Sequence, residues 1–127
     1  MLPGGCARQL AGTARVSVSA ALPLVDAAYA LTYTITGDGG IGVEASYAPG
    51  TAPLAMMPRF GLELVVSAGF EKLAWYGRGP EETYVDRQFE RVGLYTTKVA
   101  DQFAAYARPQ EHGNKTDVRW IELTNAD

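Results

Sequence analysis

The feature that most constrains the fold is a period-two alternation of apolar and polar residues, interrupted by glycine- and proline-rich turns. Residues 13–21 place Ala14, Val16 and Val18 on one face and Thr, Arg and Ser residues on the other. Residues 27–36 and 41–47 repeat the pattern on either side of a Gly-Asp-Gly-Gly turn at 37–40. This alternation is typical of half-buried strands, and glycine and aspartate tolerate the backbone of a tight turn. Residues 27–47 are therefore predicted to form a β-hairpin.

Further strands are predicted at residues 60–68, 70–76, 91–96 and 117–124, with loops at 48–58 and 109–114. The glycines at 77 and 79 are expected to adopt positive φ and to break the strand that precedes them. No segment shows a long amphipathic helical period, so the chain is predicted to be all-β, an antiparallel sandwich or barrel. Residues 1–12 are predicted to be a flexible leader, and residues 13–127 the folded domain.

Composition removes several classes of function. The net charge is -3 and no Lys/Arg cluster is present, which argues against a nucleic-acid partner. The single cysteine, Cys6, excludes an internal disulfide, and the single histidine, His112, excludes a two-histidine zinc pattern. No metal or cofactor is therefore expected. No apolar run is long enough to span a membrane and no signal peptide is recognised, so a cytoplasmic location is expected.

Two charged segments carry a specific resemblance. Residues 75–87 read WYGRGPEETYVDR, and residues 108–120 read RPQEHGNKTDVRW. In this order and at this separation, both resemble the C-terminal small chain domain of family 2 glycoside hydrolase β-galactosidases. The segment PRFGL at residues 58–62 and the glycine-turn hairpin also fit. The resemblance spans residues 33–124, most of the chain.

The resemblance implies a galactose mutarotase-like β-sandwich, or supersandwich, of which residues 13–127 would form the first half. It also implies a parent enzyme that hydrolyses β-galactosides in a separate catalytic barrel, against which this segment packs. The residues that the family's domain lends to the sugar site lie downstream, so no catalytic residue is carried over. A partial sandwich leaves strand edges and apolar surface open, and we expect the isolated chain to self-associate or to be marginally stable.

The residues of the two charged segments allow more than one interpretation. A retaining glycosidase needs two carboxylates about 5–5.5 Å apart, but the carboxylates here lie close in sequence to arginines. We interpret them chiefly as ion pairs that brace two irregular loops. Trp75 and Trp120 have apolar neighbours and are predicted to pack in the core. The residues predicted to contact carbohydrate or a neighbouring domain are Tyr76, Glu81, Tyr84, Arg87, Glu111, His112 and Asn114.

Three functions remain open at this level. The first is a non-catalytic segment of a β-galactosidase that supports the catalytic barrel and the carbohydrate site. The second is a stand-alone module that binds a β-galactoside near Tyr84 and Glu111. The third is an aldose epimerase-like protein, in which His112 and Glu111 would supply an acid and a base. His112 stands where the family often has Asn, and an exposed loop histidine is the alternative interpretation.

Overall fold

A computed structural model describes residues 4–10, 12–51, 53, 56–57 and 59–125. The chain divides into two compact units, Met1–Glu63 and Leu64–Asp127. Within the described ranges the regular structure consists of strands and two short 3₁₀ turns, at Pro23–Val25 and Val99–Gln102. None of the helical segments in those ranges has the length and apolar character needed to cross a membrane.

The first unit contains a four-stranded antiparallel sheet. Its strands are β1 (Gly4–Leu10), β2 (Thr13–Leu22), β3 (Ala27–Thr36) and β4 (Ile41–Ala48). They lie in the order β1-β2-β3-β4, so every strand pairs with its neighbour in sequence. The predicted strands and hairpin of this region are confirmed.

The β3–β4 turn shows why its sequence favours a hairpin. Gly39 has a φ of 89°, a conformation that costs glycine little. The amide of Thr36 donates to the Gly40 carbonyl at 2.9 Å, and the amide of Gly40 donates to Asp38 Oδ1 at 3.1 Å. Hydrogen bonds from the Thr36 hydroxyl and the Gly40 amide lower the pKa of Asp38. The turn is thus closed by both backbone and side-chain bonds.

Two predictions for residues 1–68 are wrong. The expected leader contains β1, whose Gly4–Leu10 backbone pairs with β2 from Gly4↔Ser19 to Leu10↔Thr13. Gly12 of the leader lies in the turn between them, and residues 1–3 and 11 lie outside the described residues. The strand expected at 60–68 has no ladder partner. Phe60 instead packs its ring 6.1 Å from that of Tyr29 and 6.2 Å from that of Tyr47. Leu62 and Leu64 are 50% and 84% exposed, so the apolar alternation of this segment does not mark a buried face. A strand also requires a hydrogen-bonding partner.

The second unit contains a three-stranded antiparallel sheet in the order β6-β5-β7. Its strands are β5 (Lys72–Gly79), β6 (Arg91–Lys98) and β7 (Trp120–Thr124). Trp75 on the central strand is 2% exposed and stacks on Tyr95 at a centroid distance of 5.3 Å. The predicted core role of Trp75 is confirmed. Trp120 is 45% exposed, so the same prediction for Trp120 is wrong within this chain.

The glycines of β5 serve close packing and not a turn, which corrects the prediction that residues 77–80 break the strand. Positive φ is found at Gly12, Gly39, Gly69 and Gly113, and not at Gly77 or Gly79. A Cβ placed on Gly79 would lie 2.7 Å from Trp75 Cζ2, and one on Gly77 would lie 2.9 Å from Val118 Cα. The strand therefore continues because these positions carry no side chain.

The predicted fold class is confirmed: the chain is all-β with antiparallel sheets. The two sheets found among the described residues are consistent with part of a β-sandwich domain.

Candidate functional site: two loops of the second unit

Two irregular segments of the second unit are bonded to each other. The first loop, residues 80–90, connects β5 to β6, and the second loop, residues 103–119, precedes β7. Thr83 is at the centre of their contact and is only 1% exposed. Its hydroxyl lies 2.9 Å from Thr116 Oγ1 and accepts a hydrogen bond from the Thr116 amide at 2.8 Å. A buried hydroxyl with two partners fixes the spacing of the loops.

Asn114 reinforces this contact from the second loop. The Thr83 amide donates to the Asn114 carbonyl at 2.7 Å, and Asn114 Nδ2 donates to the Thr83 carbonyl at 2.7 Å. This reciprocal pair satisfies both backbone groups of Thr83 across 31 residues of sequence. Asn114, predicted as a ligand contact, therefore uses its amide nitrogen to join the loops.

Glu82 is the charged centre of the loop pair. Its Oε2 accepts a hydrogen bond from the Gly113 amide at 2.9 Å. Its Oε1 accepts from Arg87 Nη2 and from the Tyr106 hydroxyl. The Glu82 side chain is 13% exposed, so little water can replace these donors. Glu82 consequently holds three separate points of the two loops together.

The electrostatics of Glu82 follow from these bonds. The Gly113 amide lowers the pKa of Glu82 most, burial opposes it, and Arg87 lowers it further through a hydrogen bond and its charge. A carboxylate with a lowered pKa is a poor general acid. Because its oxygens already accept three hydrogen bonds, Glu82 is also a poor nucleophile. The chemistry of Glu82 is therefore that of a structural anion.

Arg78 fixes both loops at their junction with the sheet. Its Nε donates to Asp117 Oδ2 at 2.6 Å, and its Nη1 donates to the Glu90 carbonyl at 2.8 Å. The Asp117 backbone has a φ of 55°, an uncommon conformation for a residue other than glycine. With the Glu82–Arg87 pair, this contact confirms that arginine–carboxylate pairs brace the two loops.

A cleft of about 380 Å³ opens where the two loops face each other. We call it the loop cleft; its walls are formed by Tyr84, Asp86, Arg87, Tyr106, Gln110 and Glu111. Three predicted contact residues, Tyr84, Arg87 and Glu111, thus come together here. The guanidinium of Arg87 lies 5.2 Å from the centre of the Tyr84 ring. The Tyr84 hydroxyl is buried and has no hydrogen-bond partner among the described residues.

The other predicted contact residues do not line this cleft. Tyr76 lies on β5 with the Arg119 guanidinium 5.9 Å from its ring centre. Glu81 lines a different cavity of the same unit. The His112 ring packs edge-on against Phe103 at 4.9 Å. The two members of the predicted acid–base pair, His112 and Glu111, therefore have different surroundings.

Sequence reasoning missed Glu82 and Thr83, the two residues that organise the loops. Thr83 follows two glutamates and precedes Tyr84, and this local sequence does not indicate that its side chain is buried. For metal binding, the described part of the chain contains no group of three or more His, Cys, Asp or Glu side chains suitably placed.

Comparison with known proteins assigns these features to a family. The family model described as "Beta galactosidase small chain" matches residues 6–127. A β-galactosidase of Priestia megaterium is 42% identical over 111 residues, covering 87% of this chain and 11% of that protein. β-Galactosidases of Streptococcus thermophilus and Bifidobacterium adolescentis are 40% and 39% identical, covering 82% and 73% of this chain.

The chain spans about a tenth of the length of these relatives, 11%, 10% and 9% respectively. Both loop segments fall inside the matched region. The chain belongs to the β-galactosidase small chain family.

Proposed function

We propose that this chain is a non-catalytic segment of a β-galactosidase, the first half of its small chain domain at residues 13–127. Its role is to support the catalytic barrel that hydrolyses β-galactosides and to help shape the carbohydrate site. The observation that carries the proposal is the bonded loop pair, in which Glu82 and Thr83 hold the loops in one arrangement. A surface fixed in this way suits contact with a neighbouring domain, because little entropy is lost on docking.

The surroundings of the loop carboxylates favour a structural role for this segment over a catalytic one. Glu82 is held ionised, and Asp117 is paired with Arg78. A glycosidase acid must instead hold a proton near neutral pH, which requires a raised pKa. Glu82, whose pKa is lowered, does not meet that requirement.

A graft tests the proposal. In the Priestia megaterium relative, the matched 111-residue segment is replaced by this chain, and hydrolysis of a chromogenic β-galactoside is measured. We expect the graft to be active, the relative without the segment to be inactive, and the isolated chain to show no turnover. Turnover by the isolated chain, abolished by Glu111→Gln, would show that the segment is itself catalytic.

A matched pair of variants locates the contribution within the segment. Glu82→Gln in the graft disturbs the loop pair, whereas Glu122→Gln removes an exposed charge on β7 that does not join the loops. We expect the first to lower kcat/KM and the second to leave it near the grafted value. If both variants changed kcat/KM equally, the loop arrangement would not be what supports activity.

The second candidate is a module that binds a β-galactoside in the loop cleft. The buried, unpartnered Tyr84 hydroxyl beside Arg87 favours it, since a buried polar group without a partner costs free energy that a ligand hydroxyl would recover. Titration of the chain with lactose, followed by chemical shifts near Tyr84 and Glu111, tests it. Saturable shifts that Tyr84→Phe removes would support this function, and their absence would exclude it.

We also propose that the isolated chain self-associates. The first unit has an open apolar depression of about 480 Å³, whose lining includes Leu22, Val25, Tyr29, Tyr47, Met57 and Phe60. Apolar surface of this kind favours association in water. Light scattering during size-exclusion chromatography should show a mass that rises with concentration. A monodisperse monomer with a cooperative, high-temperature melt would contradict this proposal.

A further inference from the structure

A second cavity of the 64–127 unit shares no lining residue with the loop cleft. Its volume is about 330 Å³, within the range of small-molecule sites in proteins. We call it the Lys115 cavity, after the cation on its wall. Other residues that define its character are Trp75, Glu81, Tyr95, Asp101 and Phe103.

Lys115 supplies hydrogen-bond donors to this cavity. Its Nζ lies 5.3 Å from the centre of the Trp75 ring. Over the ranges that the structure describes, no hydrogen bond or ion pair joins Lys115 to a protein oxygen. Burial lowers the pKa of Lys115, and the negative charges of Glu81, Glu82 and Glu90 oppose this shift. The ammonium is thus partly desolvated, and its N–H donors have room for a ligand oxygen.

Carboxylates on the same cavity supply acceptors. Glu81 is exposed and lines the wall without a hydrogen bond to any described residue. Asp101 is partly occupied, since its Oδ2 accepts from the Lys98 amide at 3.3 Å and from Thr97 Oγ1 at 3.3 Å. Glu82 is neutralised by Arg87. Against one ammonium, the two remaining carboxylates disfavour an anionic ligand.

The remaining wall combines aromatic rings with small and polar residues, among them Thr96, Thr97, Gln102 and Ala104. Tyr95 stacks on Trp75, and Phe103 is 68% exposed. Aromatic rings adjoining both a donor and an acceptor suit a ligand with an apolar C–H face and several hydroxyl groups.

We propose that the Lys115 cavity binds a neutral polyhydroxylated small molecule of the hexopyranose class. One ligand hydroxyl oxygen accepts from Lys115 Nζ, another hydroxyl donates to Glu81, and the C–H face lies against Tyr95 and Phe103. This site goes beyond the proposed function, because it depends neither on the catalytic barrel nor on the loop cleft.

Trp75 provides the signal for a first test. The chain has two tryptophans, so Trp120→Phe leaves Trp75, beside the cavity, as the single tryptophan, which is excited selectively over the tyrosines. D-Galactose is added to about 100 mM, well above a Kd of ~1 mM. We expect saturable change in Trp75 emission. No change over this range, with the chain folded by near-UV circular dichroism, would overturn the proposal.

A second experiment compares variants of the cavity residues by saturation-transfer NMR on the galactose protons. This signal does not depend on Trp75. Lys115→Met should weaken binding about 10- to 100-fold, as expected for the loss of a charged hydrogen bond. The matched control, Lys98→Met, removes an exposed lysine outside the cavity and should leave the Kd unchanged. Glu81→Gln is a second variant in case Lys115→Met fails to fold, and it should also weaken binding.

Two further comparisons, between variants and between galactose and phosphate, identify the binding site and the class of ligand. Binding that survives Lys115→Met, or that is lost in Tyr84→Phe, would place the sugar elsewhere and overturn the proposal. Inorganic phosphate binding as tightly as galactose would show an anion site instead, which also overturns it. Binding of galactose with no binding of phosphate, sensitive to Lys115 and insensitive to Tyr84, supports it.

Discussion

Replacing Glu82 by Gln removes the charge that joins the two loops while nearly preserving side-chain volume. The carboxylate accepts hydrogen bonds on both oxygens, from Gly113 on one and from Arg87 and Tyr106 on the other. Glutamine offers one oxygen and one NH₂ group. Whichever way the amide is turned, at least one N–H or O–H donor faces another donor.

The magnitude follows from the number and type of bonds. A hydrogen bond to a charged group contributes about 1.5–3 kcal/mol, and an unsatisfied buried donor costs about 1–3 kcal/mol. With the side chain 13% exposed, water compensates little. We expect Glu82→Gln to lower the free energy of unfolding of the second unit by about 2–4 kcal/mol. For a unit of this size the melting temperature should fall by about 8 °C or more.

The effect should depend on pH in a defined direction. The pKa of Glu82 is lowered in the folded chain, so its stabilisation is fully present above the ordinary glutamate value of 4.5 that applies when the chain is unfolded. It is lost as the pH falls through the lowered folded value, where the carboxylate takes up a proton. The difference between the parent chain and Glu82→Gln should therefore be large at neutral pH and small in acid.

Urea unfolding followed by near-UV circular dichroism measures these differences, and hydrogen exchange of the Gly113 amide reports the local bond. Glu81→Gln is the control, because Glu81 forms no hydrogen bond among the described residues. A Glu82→Gln chain within about 0.5 kcal/mol of the Glu81→Gln chain at neutral pH would refute the assigned role of Glu82.

Two other substitutions test the packing and the loop contact. Gly79→Ala should cost about 1–3 kcal/mol, because the added Cβ would lie 2.7 Å from Trp75; Gly93→Ala, whose Cβ would meet nothing closer than 3.4 Å, should cost less. Comparable urea midpoints for the two would argue against steric restriction at position 79. Thr83→Val should cost about 1–3 kcal/mol, since the Thr116 amide loses its acceptor in a buried site. Unchanged exchange of the Thr116 amide in that variant would show the bond to be dispensable.

The strands could be predicted wherever each one pairs with its sequence neighbour across a short turn. The bounds predicted for β3 coincide with Ala27–Thr36. β1 was missed because it begins Gly-Gly-Cys and lacks a clear alternation, and its pairing depends on hydrogen bonds to β2. The continuation of β5 was missed because glycine at a point of close packing looks the same in sequence as glycine in a turn.

The site was predictable at the level of segments and not of single residues. The density of arginine and carboxylate correctly indicated loops braced by ion pairs, and Arg78–Asp117 is one of them. Which of two adjacent glutamates faces inward depends on the direction in which the chain leaves β5 and on an amide 31 residues later. The local sequence pattern encodes neither the chain direction nor the position of that amide. Glu81 was therefore predicted as a contact residue, although it is Glu82 that joins the loops.

The distance in sequence between the bonded loops has a consequence for the order of folding. The β2–β3 and β3–β4 pairings join strands that are neighbours in sequence and close only short turns. The Thr83–Thr116 contact instead joins residues that lie 33 apart in sequence. Closing a longer loop costs more chain entropy before any contact forms. During synthesis, β2 to β4 can acquire their hydrogen bonds early, while the first loop waits for residue 116 to emerge. In pulsed hydrogen exchange during refolding, β3 amides should be protected before the Thr83 amide.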